Sequence, residues 1–188
     1  MIERRHVSLG LLAGGRASRL GGVDKAWLEY RGQALVQRAL AALGDGYLAR
    51  RISTSRDPQR YAAIGLSAIG DLHGNFAGPL AGIEALLSVC ESPWLLTAPI
   101  DLRDWPVDLP SRLCGTADDS GAVIVDSEGL QPLCALWPVA SALSAVRTEL
   151  ESGAGAVHRV VAELGLKVHD ISPWCLGNLN TWEDFHSP

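Results

Sequence analysis

The stretch Leu9–Lys25 constrains the fold more than any other part of the chain, because an apolar run ends there in a glycine-rich loop. The run Val7–Leu12 has the length and apolar bias of a buried strand. The loop behind it contains glycines and cations in close succession: Gly14, Gly15, Arg16, Arg19, Gly21, Gly22 and Lys25. Glycine lets backbone N–H groups approach an anion closely, and clustered cations neutralise its charge. We therefore predict that this loop binds a phosphate chain.

The spacing within the loop excludes two common phosphate-binding fingerprints. A Walker A loop places serine or threonine after its lysine, whereas Ala26 follows Lys25. A dinucleotide-binding fold needs the pattern G-x-G-x-x-G, which the segment Gly14–Ser18 does not contain. The loop therefore indicates a different class of nucleotide site.

Strand-like and helix-like stretches alternate along the chain, which predicts an α/β fold with a mostly parallel sheet. The predicted strands are Val7–Leu12, Leu48–Thr54, Ser67–Gly70, Trp94–Ala98, Ala122–Val125, Leu133–Trp137 and Leu166–Ile171. The predicted helices are Gln33–Leu43, Pro79–Cys90, Val107–Cys114, Pro138–Leu150 and Val157–Leu164, with a further helix starting at Pro58. Because no repeat or linker interrupts this alternation, we predict one domain over residues 1–188.

Charge and composition narrow the function. The formal net charge of −5 argues against general nucleic-acid binding, so an anionic substrate has to be attracted locally by the basic loop. No apolar run reaches the roughly 18 residues of a membrane span, and no signal-peptide pattern follows Met1. The four cysteines lack metal-ligand spacing, so we expect free structural thiols. These features predict a cytoplasmic protein without nucleic-acid or membrane partners.

Two aspartates stand at or just beyond the ends of predicted strands, Asp71 after Ser67–Gly70 and Asp101 after Trp94–Ala98. Ligands of open parallel sheets bind at the carboxyl ends of the strands, so both carboxylates are expected beside the glycine loop. A carboxylate repels a triphosphate unless a cation lies between them, and Mg²⁺ held by one or two carboxylates plus phosphate oxygens is the usual arrangement. We predict Mg²⁺ as the cofactor and Asp101 as its ligand. The alternative for each aspartate is a helix cap or a turn former.

Four segments spread over the chain carry a family pattern. They are L-A-G-G-x-x-S-R-L-G-G-x-D-K ending at Lys25, G-P-L-A-G-I at Gly78–Ile83, the strand end Thr97–Asp101, and the tail Gly177–Thr181. Together they resemble the molybdenum cofactor guanylyltransferases, MobA-like nucleotidyltransferases that consume an NTP and release pyrophosphate. The resemblance implies a single-domain, Rossmann-like three-layer sandwich of the nucleotide-diphospho-sugar transferase type.

The resemblance also implies how the nucleotide would be bound. The loop backbone would approach the guanine base and ribose of GTP at Leu12, Ala13, Gly14 and Gly15. Asp71 and Lys25 would contact GTP, Asp101 would bind Mg²⁺, and Arg19 would serve the triphosphate together with Lys25. Ser55 stands where the family has asparagine, which shortens the hydrogen-bonding reach toward the nucleotide.

The implied reaction transfers GMP from GTP to the terminal phosphate of molybdopterin and releases pyrophosphate. The attacking phosphate is already an anion, so catalysis would consist of positioning and of charge neutralisation by Lys25, Arg19 and Asp101. The tail residues Asn178 and Asn180 would lie on the molybdopterin side of the cleft, away from Lys25. Proteins that deliver or accept the molybdenum cofactor would be further partners.

Residues 102–105 depart from the threonine-proline-aromatic run that the family places after the metal-binding aspartate. Asp104 in this segment either joins the metal site or faces water. Two other functions stay open, namely a related transferase for CTP or a sugar phosphate, and an inactive relative that binds a nucleotide or a protein. The intact set of Lys25, Asp71 and Asp101 argues against the inactive relative.

Overall fold

The computed structural model describes residues 2–13, 23–72, 78–106 and 108–186, and a mostly parallel sheet lies at its centre. The strands are β1 (Val7–Leu12), β2 (Glu29–Tyr30), β3 (Gln33–Ala34), β4 (Arg50–Ser53), β5 (Ser67–Ile69), β6 (Trp94–Pro99), β7 (Ala122–Asp126), β8 (Gly129–Pro138) and β9 (Lys167–Asp170). Seven of them form one sheet in the order β5-β4-β1-β6-β8-β7-β9. Strand β8 runs antiparallel to β6 and β7, and the remaining pairs are parallel. The predicted α/β class is confirmed.

Helices cover both faces of this sheet. The helices are α1 (Leu35–Leu43), α2 (Pro58–Ala62), α3 (Pro79–Ser88), α4 (Leu109–Thr116), α5 (Val139–Glu151), α6 (Val157–Leu164) and α7 (Trp182–His186), and the first six of them pack on the sheet. One apolar core contains side chains of α1, α2 and α4, and a second contains side chains of α3, α5 and α6. The sheet separates these two cores, which confirms the expected three-layer sandwich.

The helix predicted over Gln33–Leu43 begins later than expected, at Leu35, because its first residues form a hairpin. Strands β2 and β3 pair with Tyr30 opposite Gln33, which leaves a two-residue loop at Arg31 and Gly32. Both loop residues have positive φ, 53° and 76°. A two-residue loop with this backbone matches the right-handed twist of the strands that it joins.

Two glycines bring α3 close to the sheet. A Cβ on Gly10 would lie 2.9 Å from Leu86 Cδ1, and a Cβ on Gly82 would lie 2.6 Å from Ser53 Oγ and 3.3 Å from Leu12 Cδ2. Leu12 and Ser53 end strands β1 and β4, so the first turn of α3 lies over the carboxyl ends of both strands. The glycine in the middle of G-P-L-A-G-I therefore has a packing reason.

The sequence also predicts free structural thiols and no membrane span. Within the described ranges, no helix is long and apolar enough to cross a membrane. All four cysteines are free, and Cys114 and Cys134 are buried.

Candidate functional site

The candidate site lies at the edge of the sheet where β1, β4 and β6 end. Just beyond the three strands, the backbones are still joined, because Ala13 N–H donates to Ser53 O at 3.3 Å and Ile100 N–H donates to Leu12 O at 3.2 Å. Asp101 follows β6 directly after Ile100. Leu12 is buried and Ala13 is half-buried, as expected for residues that offer backbone rather than side chain to a ligand.

Lys25 and Asp101 meet at this edge. The Lys25 Nζ lies 2.5 Å from Asp101 Oδ2 and 3.1 Å from Asn180 Oδ1. The side chains of Lys25 and Asp101 are 17% and 20% exposed, so the pair is largely shielded but remains open to a ligand. Two residues that the sequence assigned to phosphate and to metal thus form one charged pair.

The tail returns across the sheet edge and completes this pair. Residues Leu102 and Asn178 form an antiparallel bridge, and Leu179 N–H donates to Asp101 O at 2.9 Å. Asn180 thereby reaches Lys25 although 155 positions separate the two residues in sequence. The expectation that the tail asparagines lie away from Lys25 is wrong for Asn180, because backbone pairing with the segment after β6 carries it onto the Lys25 ammonium.

Asp126 anchors the start of the tail, a role that sequence reasoning missed. Its carboxylate is 3% exposed and accepts hydrogen bonds from Leu176 N–H at 2.9 Å, Glu128 N–H at 2.9 Å and the Gln131 amide at 3.0 Å. Burial alone would raise the pKa of Asp126, but these donors outweigh it and hold the pKa below its usual value. The sequence contains no signal for the contact of Asp126 with Leu176, because 50 positions separate the two residues.

A second group of side chains surrounds the end of β4. Asp71 is exposed, and the Ser53 hydroxyl lies 3.5 Å from its Oδ1. Ser53 is buried between this carboxylate and Gly82 of α3, whereas Ser55, our candidate from the sequence, is exposed two residues further along. The neighbour of Asp71 on β4 is therefore Ser53. The alternation of side chains along a strand could have indicated that Ser53 and Ser55 share a face, but it could not tell which of them contacts Asp71.

Three predicted site residues, Gly14, Gly15 and Arg19, lie outside the described residues. Asn178 is exposed, and its backbone pairs with Leu102. Their expected roles stay predictions.

The single carboxylate of Asp101 fits a Mg²⁺ ion for which the phosphates of the substrate supply further ligands. Within the described part of the chain, no three His, Cys, Asp or Glu side chains lie close enough together to form a metal cage. Asp104 is 3.0 Å from Arg103 Nε and 3.8 Å from Arg31 Nη1, so its carboxylate is engaged by arginines at the surface. One or two carboxylates, substrate phosphate oxygens and waters are the usual Mg²⁺ environment. Asp101 therefore remains the candidate ligand.

Comparison with known proteins identifies the family. The profile of the MobA-like NTP transferase domain matches residues 10–168, which is most of the chain. The chain belongs to this family. It is accordingly a nucleotidyltransferase, and the match includes Lys25, Asp71 and Asp101.

Named relatives of this MobA-like NTP transferase extend the match to almost the whole chain. It is 33% identical, over an alignment 200 positions long, to the molybdenum cofactor guanylyltransferase of Cupriavidus metallidurans, with 99% of this chain and 96% of the relative covered. It is 37% identical over 147 residues to the protein of that name from Cupriavidus pinatubonensis, with 74% of each chain covered.

Solved structures share the fold of this MobA-like NTP transferase. Molybdopterin-guanine dinucleotide biosynthesis protein A from Archaeoglobus fulgidus superposes with a TM-score of 0.73 at 19% identity, covering 95% of both chains. The 2-C-methyl-D-erythritol 4-phosphate cytidylyltransferase of Thermus thermophilus superposes with a TM-score of 0.68 at 16% identity, covering 94% of both chains. At these identities the likeness concerns the fold alone.

Proposed function

We propose that this protein transfers GMP from GTP to the terminal phosphate of molybdopterin, with Mg²⁺, to form the guanine dinucleotide cofactor and pyrophosphate. The observation that carries the proposal is the meeting of Lys25, Asp101 and Asn180 at the carboxyl edge of the sheet. The guanylyltransferase relative that is similar over 99% of the chain supports the choice of substrates. Residues 1–188 would work as one domain, and the free thiols suit a reducing cytoplasm.

Lys25 is built to bind a phosphate without leaving its present partners. A lysine ammonium has three N–H donors, and Asp101 and Asn180 engage two of them. The third donor is available for an oxygen of the nucleotide phosphates. Asp101 would hold Mg²⁺, which supplies further neutralisation of phosphate charge when it is bound. Arg19 would add a second cation from the glycine-rich loop.

Asp71 supports the preference for guanine. Guanine carries adjacent N–H donors on one edge, and a carboxylate can accept two of them together. Cytosine and adenine do not present this pair of donors. The Ser53 hydroxyl lies 3.5 Å from Asp71 Oδ1, so the carboxylate stands beside the end of β4. Leu12 and Ala13 would complete the base site through their backbone groups.

The acceptor phosphate would approach from the side of the tail. Asn178 and Asn180 are both exposed there, and the Asn180 amide oxygen accepts from Lys25. Asn180 would therefore stand between the two substrates, next to the phosphates of GTP and in reach of the acceptor. With Lys25 and Asp101 at its centre, the site would position the two anionic substrates, GTP and molybdopterin, for direct transfer.

A nucleotide panel tests this function. In a thermal-unfolding assay with Mg²⁺, we expect GTP to raise the Tm more than CTP, ATP or UTP, because a ligand that binds only the native state stabilises it. GTP at 100 times its Kd would add about 2.7 kcal/mol. For a chain of 188 residues this corresponds to a rise in Tm of about 5–10 °C.

Mg²⁺ alone and GTP with a chelator are the controls for this panel. An equal or larger shift with CTP would favour a cytidylyltransferase instead. No shift with any nucleotide would favour the inactive relative that binds a protein.

A further inference from the structure

The short turn that carries Lys25 is held by a helix distant from it in sequence. Residues Lys25–Trp27 form one turn of 3-10 helix, and Asp24 caps it by accepting Ala26 N–H at 3.2 Å. The hydroxyl of Tyr61, from α2, lies 3.0 Å and 2.8 Å from the two carboxylate oxygens of Asp24. Tyr61 is fully buried and Asp24 is half-buried, so this hydrogen bond is partly shielded from water. The carboxylate of Asp24 therefore joins α2 to the turn.

A second contact fixes the other end of the same turn. The ring of Trp27 lies 5.6 Å from the ring of Tyr61, and the guanidinium carbon of Arg60 lies 4.0 Å from the Trp27 ring centroid. Helix α2 thus contacts the residue before Lys25 and the residue that ends the turn. Rotation of the turn would break one contact or the other.

The position of the turn matters because lysine is a long and flexible side chain. The Lys25 ammonium meets Asp101 and Asn180 at the same time, and these residues lie on two other segments of the chain. A side chain with four rotatable bonds keeps such a geometry only where its backbone is fixed by the surrounding structure.

We propose that Tyr61 is a positioning residue for Lys25, which acts by holding Asp24 and, through it, the turn that presents the ammonium to the nucleotide phosphates. The inference rests on the proposed function, because it assigns the Lys25 ammonium to a phosphate of the nucleotide. Its chemical content is a neutral phenol that donates to a carboxylate. Burial raises the pKa of Tyr61, and the hydrogen bond to Asp24 raises it further, so the phenol stays protonated and remains a donor at neutral pH.

The test compares the Kd for GTP of two variants, each of which lacks one tyrosine hydroxyl. Tyr61→Phe keeps the ring against Trp27 and deletes the donor to Asp24. We expect the Kd for GTP, measured by calorimetry with Mg²⁺, to rise about tenfold, the scale of effects when a residue that orients a ligand-binding group is lost.

Tyr47→Phe is the matched control. The Tyr47 hydroxyl donates to Leu43 O at 2.9 Å. The next residue, Leu48, donates its N–H to the carbonyl oxygen of Val7, the first residue of β1. Tyr47 therefore lies at the edge of the sheet opposite the candidate site. We expect Tyr47→Phe to bind GTP like the wild-type protein, whatever it costs in Tm. An unchanged Kd in Tyr61→Phe would overturn the inference, and so would an equal rise in both variants, since that would show a general effect of stability.

Variants of Asp24 give a second, independent readout. Asp24→Asn keeps an oxygen that can accept from Tyr61 and from Ala26 N–H, so we expect its GTP affinity to stay within about threefold of wild type. Asp24→Ala should weaken GTP as much as Tyr61→Phe or more, and adding Tyr61→Phe to Asp24→Ala should cause no further loss, because both act through one contact. Additive losses of GTP affinity in the double variant would contradict the inference. If Tyr61→Phe does not fold, wild-type GTP affinity in Asp24→Ala would contradict it instead. A wild-type protein that does not bind GTP would contradict the proposed function itself.

Discussion

Replacing Asp101 by asparagine is expected to lower the rate of nucleotidyl transfer at least about a hundredfold while the protein still folds. Asparagine has the shape of aspartate and keeps an oxygen that can accept from Lys25 Nζ, so the contact now 2.5 Å long can persist. The backbone oxygen of residue 101, which holds Leu179 N–H at 2.9 Å, is not changed. What is lost is the negative charge that Mg²⁺ needs. Initial rates of pyrophosphate release, with Tm measured in parallel, check the prediction.

Asp104→Asn is the control for Asp101→Asn, because it removes the same charge three positions away. The Asp104 carboxylate lies beside Arg103 and Arg31 at the surface, where an ion pair contributes little to stability. We expect its transfer rate to stay within about threefold of wild type, since surface substitutions away from a site have small effects. Retained activity in Asp101→Asn would contradict the metal assignment, and equal losses in both variants would move part of the metal site to Asp104.

Lys25→Ala is expected to weaken GTP binding itself by about 10-fold to 100-fold, which corresponds to a charge-assisted hydrogen bond of about 1.5–3 kcal/mol. The Lys25 side chain is 17% exposed, so its attraction for a phosphate is screened by water less than that of a surface lysine. The variant also leaves Asp101 without its present partner, which adds repulsion toward the triphosphate. Calorimetric titration with GTP and Mg²⁺ measures the loss directly.

Asn180→Ala separates the two substrates. Its amide oxygen accepts from Lys25 at 3.1 Å, so its loss should weaken GTP only about threefold, as expected for a neutral acceptor near the surface. Its larger effect should be a higher KM for molybdopterin, because the tail faces the acceptor side in our proposal. Asn178 is exposed two positions before Asn180, so Asn178→Ala should raise the KM for molybdopterin and leave the Kd for GTP unchanged. A loss of GTP affinity in Asn180→Ala as large as that in Lys25→Ala would show that the tail belongs to the nucleotide site.

Sequence reasoning placed the elements that carry a local signal. Strand β1 ends at Leu12 and helix α6 spans Val157–Leu164 as predicted, because an apolar run and a helical periodicity define them within a few residues. The same reasoning put Asp101 at the carboxyl edge of the sheet, since the strand before it is plain in the sequence. The hairpin before α1 was missed, because Gln33 and Ala34 carry no signal that separates a two-residue strand from the first turn of a helix.

The contacts that assemble the site carry no local signal. Tyr61 meets Asp24 across 37 positions, and Asp126 meets Leu176 across 50. Both contacts depend on how a helix or a tail packs on the sheet, which a hydrophobic pattern leaves open. The same holds for the choice of Ser53 over Ser55 as the neighbour of Asp71, because the two serines differ only in where the strand ends.

The products of the reaction distinguish guanylyl transfer from its alternatives. The purified protein, incubated with molybdopterin, Mg²⁺ and each of the four nucleoside triphosphates in turn, should form a dinucleotide cofactor fastest from GTP, with one pyrophosphate released per guanine dinucleotide. Mass spectrometry of the cofactor and a pyrophosphate assay measure the two products. Preferential formation of a cytosine dinucleotide, or no dinucleotide from any nucleotide under conditions in which GTP binds, would rule out the proposed transfer of GMP to molybdopterin.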